Sequence, residues 1–278
     1  MSYRTALAHV LSSAIAPSAE KTGTEGRFPR SSVTALGRAG LLGLTVSAEF
    51  GGGGLGLPDA AEVVAQVARA CPATAAVLAS HYASAAVNEA YGSPWIRREI
   101  AAGRHLGSLA LAEDGSGEQG AQAELLAARS TAAQADLLVP RGSAARSGDV
   151  VALRARKHQV VAAGEADSYV WSSRPLTAPD GLTLWMVPAH APDLFVPARP
   201  DGTGPYGSAT STVFADPVLI PADAMLGPDG GGLDLVLRTV LPWLLELQAV
   251  VGTVAIHPAA AGASPGPARR HTDSLAAS

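Results

Sequence analysis

Apolar positions recur at helical spacing from the start of the chain. Leu7, Val10, Leu11 and Ile15 fall on one face of a helix from Tyr3 to about Ala16, and Pro17 predicts its stop. Residues 17–29 read as a polar connector closing on Phe28-Pro29. Ser31 or Ser32 then caps a short helix with Val33, Leu36 and Leu41 on one face. Residues 39–57, AGLLGLTVSAEFGGGGLGL, are an apolar run entering four consecutive glycines. Pro58 and Asp59 open the next helix, and the small residues through Ala75–Val87 predict a closely packed helical bundle. A further helix over Pro94–Ala102 ends at Gly103.

Beyond Gly103 the period shortens. Gly107–Ala112, Glu124–Ser130, Val150–Leu153, His158–Val161, Ser168–Ser172, Leu182–Val187 and Ser211–Phe214 read as short strands separated by Gly, Pro and Asp. Strands of this kind predict a small antiparallel barrel or sandwich. Helical spacing returns over Leu233–Ile256, with Pro242 kinking that helix or setting its start. Residues 257–278 are rich in Ala, Pro, Gly and Ser and are expected to be disordered. The fold class is therefore α+β. The expected units are an N-terminal helical domain (1–105), a middle β-domain (106–226), a short C-terminal helical remnant (227–256) and a tail (257–278). Residues 138–143 spell LVPRGS, identical to a thrombin-cleavage linker, although the internal position points to coincidence.

Composition narrows the function. Hydrophobic residues at 47% against 16% charged give a globular chain with enough apolar material for a sizeable core. With 20 basic and 24 acidic residues there is no basic footprint for nucleic acid. The single cysteine, Cys71, excludes an intrachain disulfide and a multi-cysteine zinc site, and fits a cytoplasmic setting. The seven histidines show no HExxH spacing, no serine sits in a GxSxG elbow, and no stretch is apolar enough to cross a membrane. The glycine run is followed by no Lys-Ser/Thr and is not a GxGxxG turn, so it reads as a structural turn and not as a phosphate cradle.

A set of phrases in order resembles the acyl-CoA dehydrogenase family: Phe28-Pro29, Gly40-Leu41-Leu42-Gly43, Glu49-Phe50-Gly51-Gly52 and the helix around His81. Leu109-Ala110-Leu111-Ala112-Glu113, Ala166-Asp167, Phe214–Pro221 and Leu226–Gly230 continue the match over about 220 residues. The resemblance implies helical, β and four-helix domains in that order, with FAD between the last two and across a subunit interface, hence a homo-oligomer. It implies removal of a proton alpha to a thioester carbonyl by a carboxylate while hydride passes to the flavin. The substrate is then an acyl-CoA or acyl-carrier thioester.

Carried over residue by residue, the resemblance places the cofactor against Leu111, Ala112, Ser116, Gln159, Val160 and Val161. Four positions depart from the family pattern. Ala112 stands for the threonine that would bond the flavin ring, and Glu118 for the serine that would approach the pyrophosphate. Gln159 stands for the stacking tryptophan, and Val161 for the threonine that would reach N5. Trp243 occupies a position where some members carry the base, and Glu246, one turn onward, is the candidate catalytic carboxylate. His81, His158, Trp171 and Trp185 read as packed side chains. The leading expectation is an acyl-CoA dehydrogenase-like flavoprotein. The alternatives are a flavin-dependent monooxygenase of the same fold, or a catalytically degenerate relative that partners a full-length homologue.

Overall fold

The computed structural model describes residues 2–113, 140–202 and 204–256, the last five through their backbone. The expected strand over Glu124–Ser130, the expected contact Ser116, the substitution at Glu118 and the tail 257–278 lie outside the described residues.

Pro17 does not stop the first helix. Helix α1 (Tyr3–Val10) runs through a π-helical turn, Leu11–Ile15, into α2 (Ala16–Glu25), which ends only at Gly26, φ 67°. The Ala16 N–H reaches five residues back to the Leu11 carbonyl. This wider turn immediately before the proline accommodates its ring and its missing donor. The same device recurs at Pro242. Helix α7 (Gly232–Leu235) passes through a π-turn, Val236–Val240, into α8 (Leu241–Ile256), and the Leu241 N–H reaches the Val236 carbonyl.

Neither serine caps the next helix. Helix α3 (Arg30–Arg38) starts at Pro29, and Ser32 lies buried inside it, where its hydroxyl meets that of Ser18 at 2.9 Å. Leu41 lies beyond the helix end, in the buried segment that leads to the glycines.

The glycine run folds back on the chain just before it. The N–H groups of Gly53, Gly54 and Leu55 donate to the carbonyls of Gly43, Val46 and Leu44 at 3.0, 2.8 and 3.1 Å. A Cβ on Gly52 would stand 2.1 Å from the Val46 oxygen, so only glycine allows this approach. The amides that a phosphate would need are spent on the chain's own carbonyls, in agreement with a structural turn.

Helices α4 (Leu57–Ala70), α5 (Pro72–Tyr91) and α6 (Pro94–Ala101) complete the bundle. The Asp59 carboxylate accepts the Gly56 N–H at 3.3 Å at the start of α4. Fourteen of the twenty residues of α5 are buried, so this helix is central and has no solvent face. Helix α8 lies across α4 and α5.

Among the described residues eight strands form two four-stranded sheets. The first has order β1 (Gly107–Ala110), β4 (Ser168–Ser173), β5 (Thr183–Pro188) and β8 (Met225–Leu226). The second has order β2 (Ser143–Ser147), β3 (Val150–Val160), β7 (Ser211–Pro221) and β6 (Leu194–Phe195). Pairing is antiparallel throughout except between β1 and β4, which run parallel. The two runs expected at Val150–Leu153 and His158–Val161 belong to one long strand, β3, broken by register shifts at 153/155 and 157/160. Pro140–Ser143 of the LVPRGS string is built into the fold, since the Arg174 N–H donates to the Gly142 carbonyl at 2.9 Å and Ser143 opens β2. Trp171 and Trp185 face each other across β4 and β5, both fully buried, as packed core side chains. Among the described residues no helix is long and apolar enough to cross a membrane.

Gly52→Ala is expected to lower stability by about 2 kcal/mol or more through overpacking against backbone that cannot yield. Gly23→Ala, in open space on α2, is expected to be neutral or to stabilise by up to about 1 kcal/mol. Urea unfolding of the two variants beside the parent chain checks both.

Candidate functional site

Helix α5 joins the helical bundle to the sheets through two buried rings. The His81 Nδ1 accepts the Gly107 N–H at 3.1 Å, so the proton sits on Nε2, which donates to the Leu42 carbonyl at 2.9 Å. The Tyr82 hydroxyl donates to the Leu41 carbonyl at 2.8 Å. Burial pushes the His81 pKa down to about 4 and pushes the Tyr82 phenol up. One turn of α5 thus holds both the GLLGL segment and the first residue of β1. Ser80 continues the contact. Its hydroxyl accepts the Leu109 N–H at 3.3 Å and meets Ser108 Oγ at 2.9 Å, and Ser108 donates to the Val161 carbonyl at 2.5 Å.

Where β1 ends, the two sheets meet at a corner. The Ala112 carbonyl accepts the His158 N–H at 2.9 Å, and Glu113 bridges to Lys157. Lys157 is fully buried, and its ammonium donates to Glu113 Oε1, to Ser172 Oγ at 2.7 Å and to the Leu111 carbonyl at 3.4 Å. It also lies 5.3 Å from the Trp171 ring centroid. Burial pulls the Lys157 pKa down to about 8 against the opposing pull of Glu113. The other Glu113 oxygen accepts the N–H groups of Arg141 and Gly142 at 2.6 and 2.7 Å.

The far side of the corner is strained. Gln159, Ala162 and Ala209 hold left-handed backbone at φ 54°, 55° and 51°, three of the four non-glycine residues that do so among the described residues. Ala162 and Ala209 are locked together, because the Ala162 and Ala163 N–H groups donate to the Ser208 and Ala209 carbonyls at 3.0 and 2.9 Å. Strain gathered in one place marks a functional corner more often than a neutral one. Beside it, Asp201 accepts Thr212 Oγ1 at 2.8 Å, so His158 Nδ1 must be the donor in its 3.2 Å contact with that same hydroxyl. Burial opposes ionisation of Asp201, but the bonds from Thr212 and Ser211 prevail and hold its carboxyl below the usual range.

The structure brings the described cofactor positions together here. Leu111, Ala112 and Gln159 are half-exposed at the corner, whereas Val160 and Val161 are buried in the core behind it. Glu246 is exposed on α8, between buried Leu244 and Leu247. Trp243, one turn earlier, packs against an apolar cluster that Leu109 and Leu111 also border. Sequence reasoning missed the joint role of Lys157, Glu113 and Ser172. A lysine inside a strand of otherwise apolar inward positions was the available signal.

Comparison with known proteins bears on this geometry. The model for "Acyl-CoA dehydrogenase, N-terminal domain" matches residues 2–104. An acyl-CoA dehydrogenase of Bacillus subtilis is 26% identical over 236 residues, covering 81% of this chain and 57% of its own length. The human mitochondrial short-chain specific acyl-CoA dehydrogenase is also 26% identical over 236 residues, covering 81% and 52%. The chain thus spans little more than half the length of these relatives. Among solved structures, KijD3 with bound FMN and a dTDP-linked amino sugar superposes with a TM-score of 0.72 at 23% identity, covering 96% of this chain and 66% of that one.

His81 gives the site a defined acid response. In the folded chain it stays neutral down to about pH 4, whereas in the unfolded chain it protonates near pH 6.5. Its contribution is therefore complete above pH 6.5 and is lost as pH falls toward 4, on the order of 3 kcal/mol in all. His81→Gln should be less stable than the parent at pH 7, with the gap narrowing at pH 4.5. Urea midpoints at the two pH values check this, and a gap that stays constant would contradict it.

Proposed function

We propose that this chain, whose residues 2–104 match the acyl-CoA dehydrogenase N-terminal domain and which is 26% identical to two acyl-CoA dehydrogenases over 236 residues, is a member of that family and acts as a flavin-dependent oxidoreductase on an acyl thioester. The reading is carried by the corner where the end of β1 meets the bulge of β3, with Leu111, Ala112 and Gln159 half-exposed around it. Their chemistry fits a flavin ring. The Gln159 side-chain amide carries both donor and acceptor groups, as the polar edge of the ring does. Val160 and Val161 back the site from the core. Bound there, FAD would supply the two-electron acceptor for the hydride.

The chain's own residues do the rest. Ala112 places only a methyl group at the corner, so its position contributes shape and not a hydroxyl donor. Glu246 is the proposed base that takes the proton alpha to the thioester carbonyl, on a helix anchored through Trp243 to the cluster that Leu111 borders. In this reading the acyl-CoA or acyl-carrier substrate lies between α8 and the corner, and the active form is a homo-oligomer. A second reading, a catalytically silent partner of a full-length homologue, is favoured by the methyl at Ala112 and the burial of Val161.

Titration of the purified protein with FAD and with FMN separates the two. The flavin reading expects a shifted flavin absorbance spectrum on binding and anaerobic bleaching by an acyl-CoA. Protein that leaves the spectrum of both flavins unchanged overturns it and supports the silent partner. Gln159→Ala is expected to raise the flavin Kd about tenfold, the loss of roughly one hydrogen bond. Glu246→Gln should slow bleaching at least ~100-fold with flavin affinity unchanged.

A further inference from the structure

Lys157 takes no part in the proposed reaction, yet it is the only Lys, Arg, Asp or Glu buried outright among the described residues. Stability alone does not account for it. Taking an ammonium out of water costs several kcal/mol, and an apolar residue of similar volume in place of a buried ion pair is often neutral or stabilising. The surroundings instead match the cation donor for donor. Its three N–H groups meet three acceptors: Glu113 Oε1, Ser172 Oγ and the Leu111 carbonyl. The network joins three places. Ser172 is on β4 of one sheet, Lys157 on β3 of the other, and Leu111 and Glu113 follow the end of β1.

The network is closed by further bonds. Ser172 Oγ lies 3.2 Å from the same Leu111 carbonyl, and the second Glu113 oxygen holds the Arg141 and Gly142 N–H groups just before β2. The Ala112 carbonyl, between the two anchored residues, accepts the His158 N–H. Leu111 and Ala112 are therefore fixed from both sides, directly beside the bulge that carries Gln159.

We propose that Lys157, acting through Glu113, Ser172 and the Leu111 carbonyl, is the positioning residue of the cofactor corner, setting the end of β1 against the β3 bulge so that Leu111, Ala112 and Gln159 face one flavin ring. This rests on the flavin reading. A salt bridge that serves stability alone would be replaceable by apolar groups without effect on cofactor affinity. A positioning device would not.

The test is the double variant Lys157→Met with Glu113→Gln, which leaves no charge buried without its partner. Thermal unfolding of the apoprotein, FAD titration and amide hydrogen exchange at His158 are measured beside the parent. The expected result is a Tm within about 5 °C of the parent, an FAD Kd raised at least ~10-fold, and faster exchange at the His158 amide. Parent-like FAD affinity in a folded double variant overturns the proposal. If the parent itself binds no FAD, the flavin reading has failed, and exchange at His158 still decides the positioning role: unchanged exchange overturns it, and faster exchange in a parent-like fold supports it. Should the double variant not fold, Ser172→Ala removes one of the three acceptors while keeping both charges. The same split between retained Tm and weakened FAD binding or faster His158 exchange is then expected, and its absence overturns the proposal.

Discussion

Strand β1 is the outer strand of its sheet, and its free edge is buried against a helix. Every N–H on that edge must find an acceptor or forfeit the cost of desolvation, about 1–3 kcal/mol each. Helix α5 supplies them, with His81 Nδ1 taking Gly107 and Ser80 Oγ taking Leu109. This explains why a central helix with no solvent face carries serines and a histidine among its alanines. The small side chains bring the helix close, and the polar ones answer the strand edge. The other nitrogen of the same imidazole holds Leu42, so one neutral ring fixes the loop before the glycines, the helix and the first residue of the sheet. The placement of everything C-terminal to Gly107 follows from it.

From that fixed start β1 delivers Leu111, Ala112 and Glu113 to the corner between the sheets. Two kinds of cost are concentrated there: left-handed backbone at Gln159, Ala162 and Ala209, on the order of 1–3 kcal/mol each, and a buried ammonium. Both are held by many bonds. Ser108 grips the Val161 carbonyl, while Ser208 and Ala209 grip the turn after it. Shape at this corner is set by these bonds, although Ala112 and Val161 bring no polar side-chain atom to it.

Much of this was legible in the sequence, and the failures have physical causes. The helical and strand segments showed in their periodicity, and Gly103 as a helix stop showed in glycine's freedom at φ 68°. Pro17 misled because a proline is read as a local veto, whereas Pro242 does lie in the first turn of α8. In both places a π-turn one residue earlier absorbs the ring, and that depends on i→i+5 bonding with no residue signature. The serines at 31 and 32 read as caps because hydroxyls favour helix starts. Burial gave Ser32 a partner on α2 instead. The corner was found only by resemblance, since its residues lie 45 positions apart and meet through parallel pairing of β1 with β4 and a bulge in β3. The glycine run was legible as a turn but not as a close approach, because which carbonyl blocks a Cβ is a tertiary fact.

The same corner bears on how a ligand is recognised. Strain and buried charge can each be relieved by substitution: glycine at 159 would release the left-handed backbone, and methionine at 157 together with glutamine at 113 would remove the buried ion pair. Polar side chains, by contrast, are what a ring-binding site is ordinarily read from. In this chain the costly geometry is present while the hydroxyls at 112 and 161 are absent. A side-chain-based site would show the reverse, since donors are of use only if the backbone already presents them. In the proposed flavin reading, recognition would therefore rest on the contour set by backbone and packing, with Gln159 as the half-exposed amide that directs it. That reading would place the discrimination between ligands in the distance between the end of β1 and the β3 bulge, the distance that the Lys157 network spans.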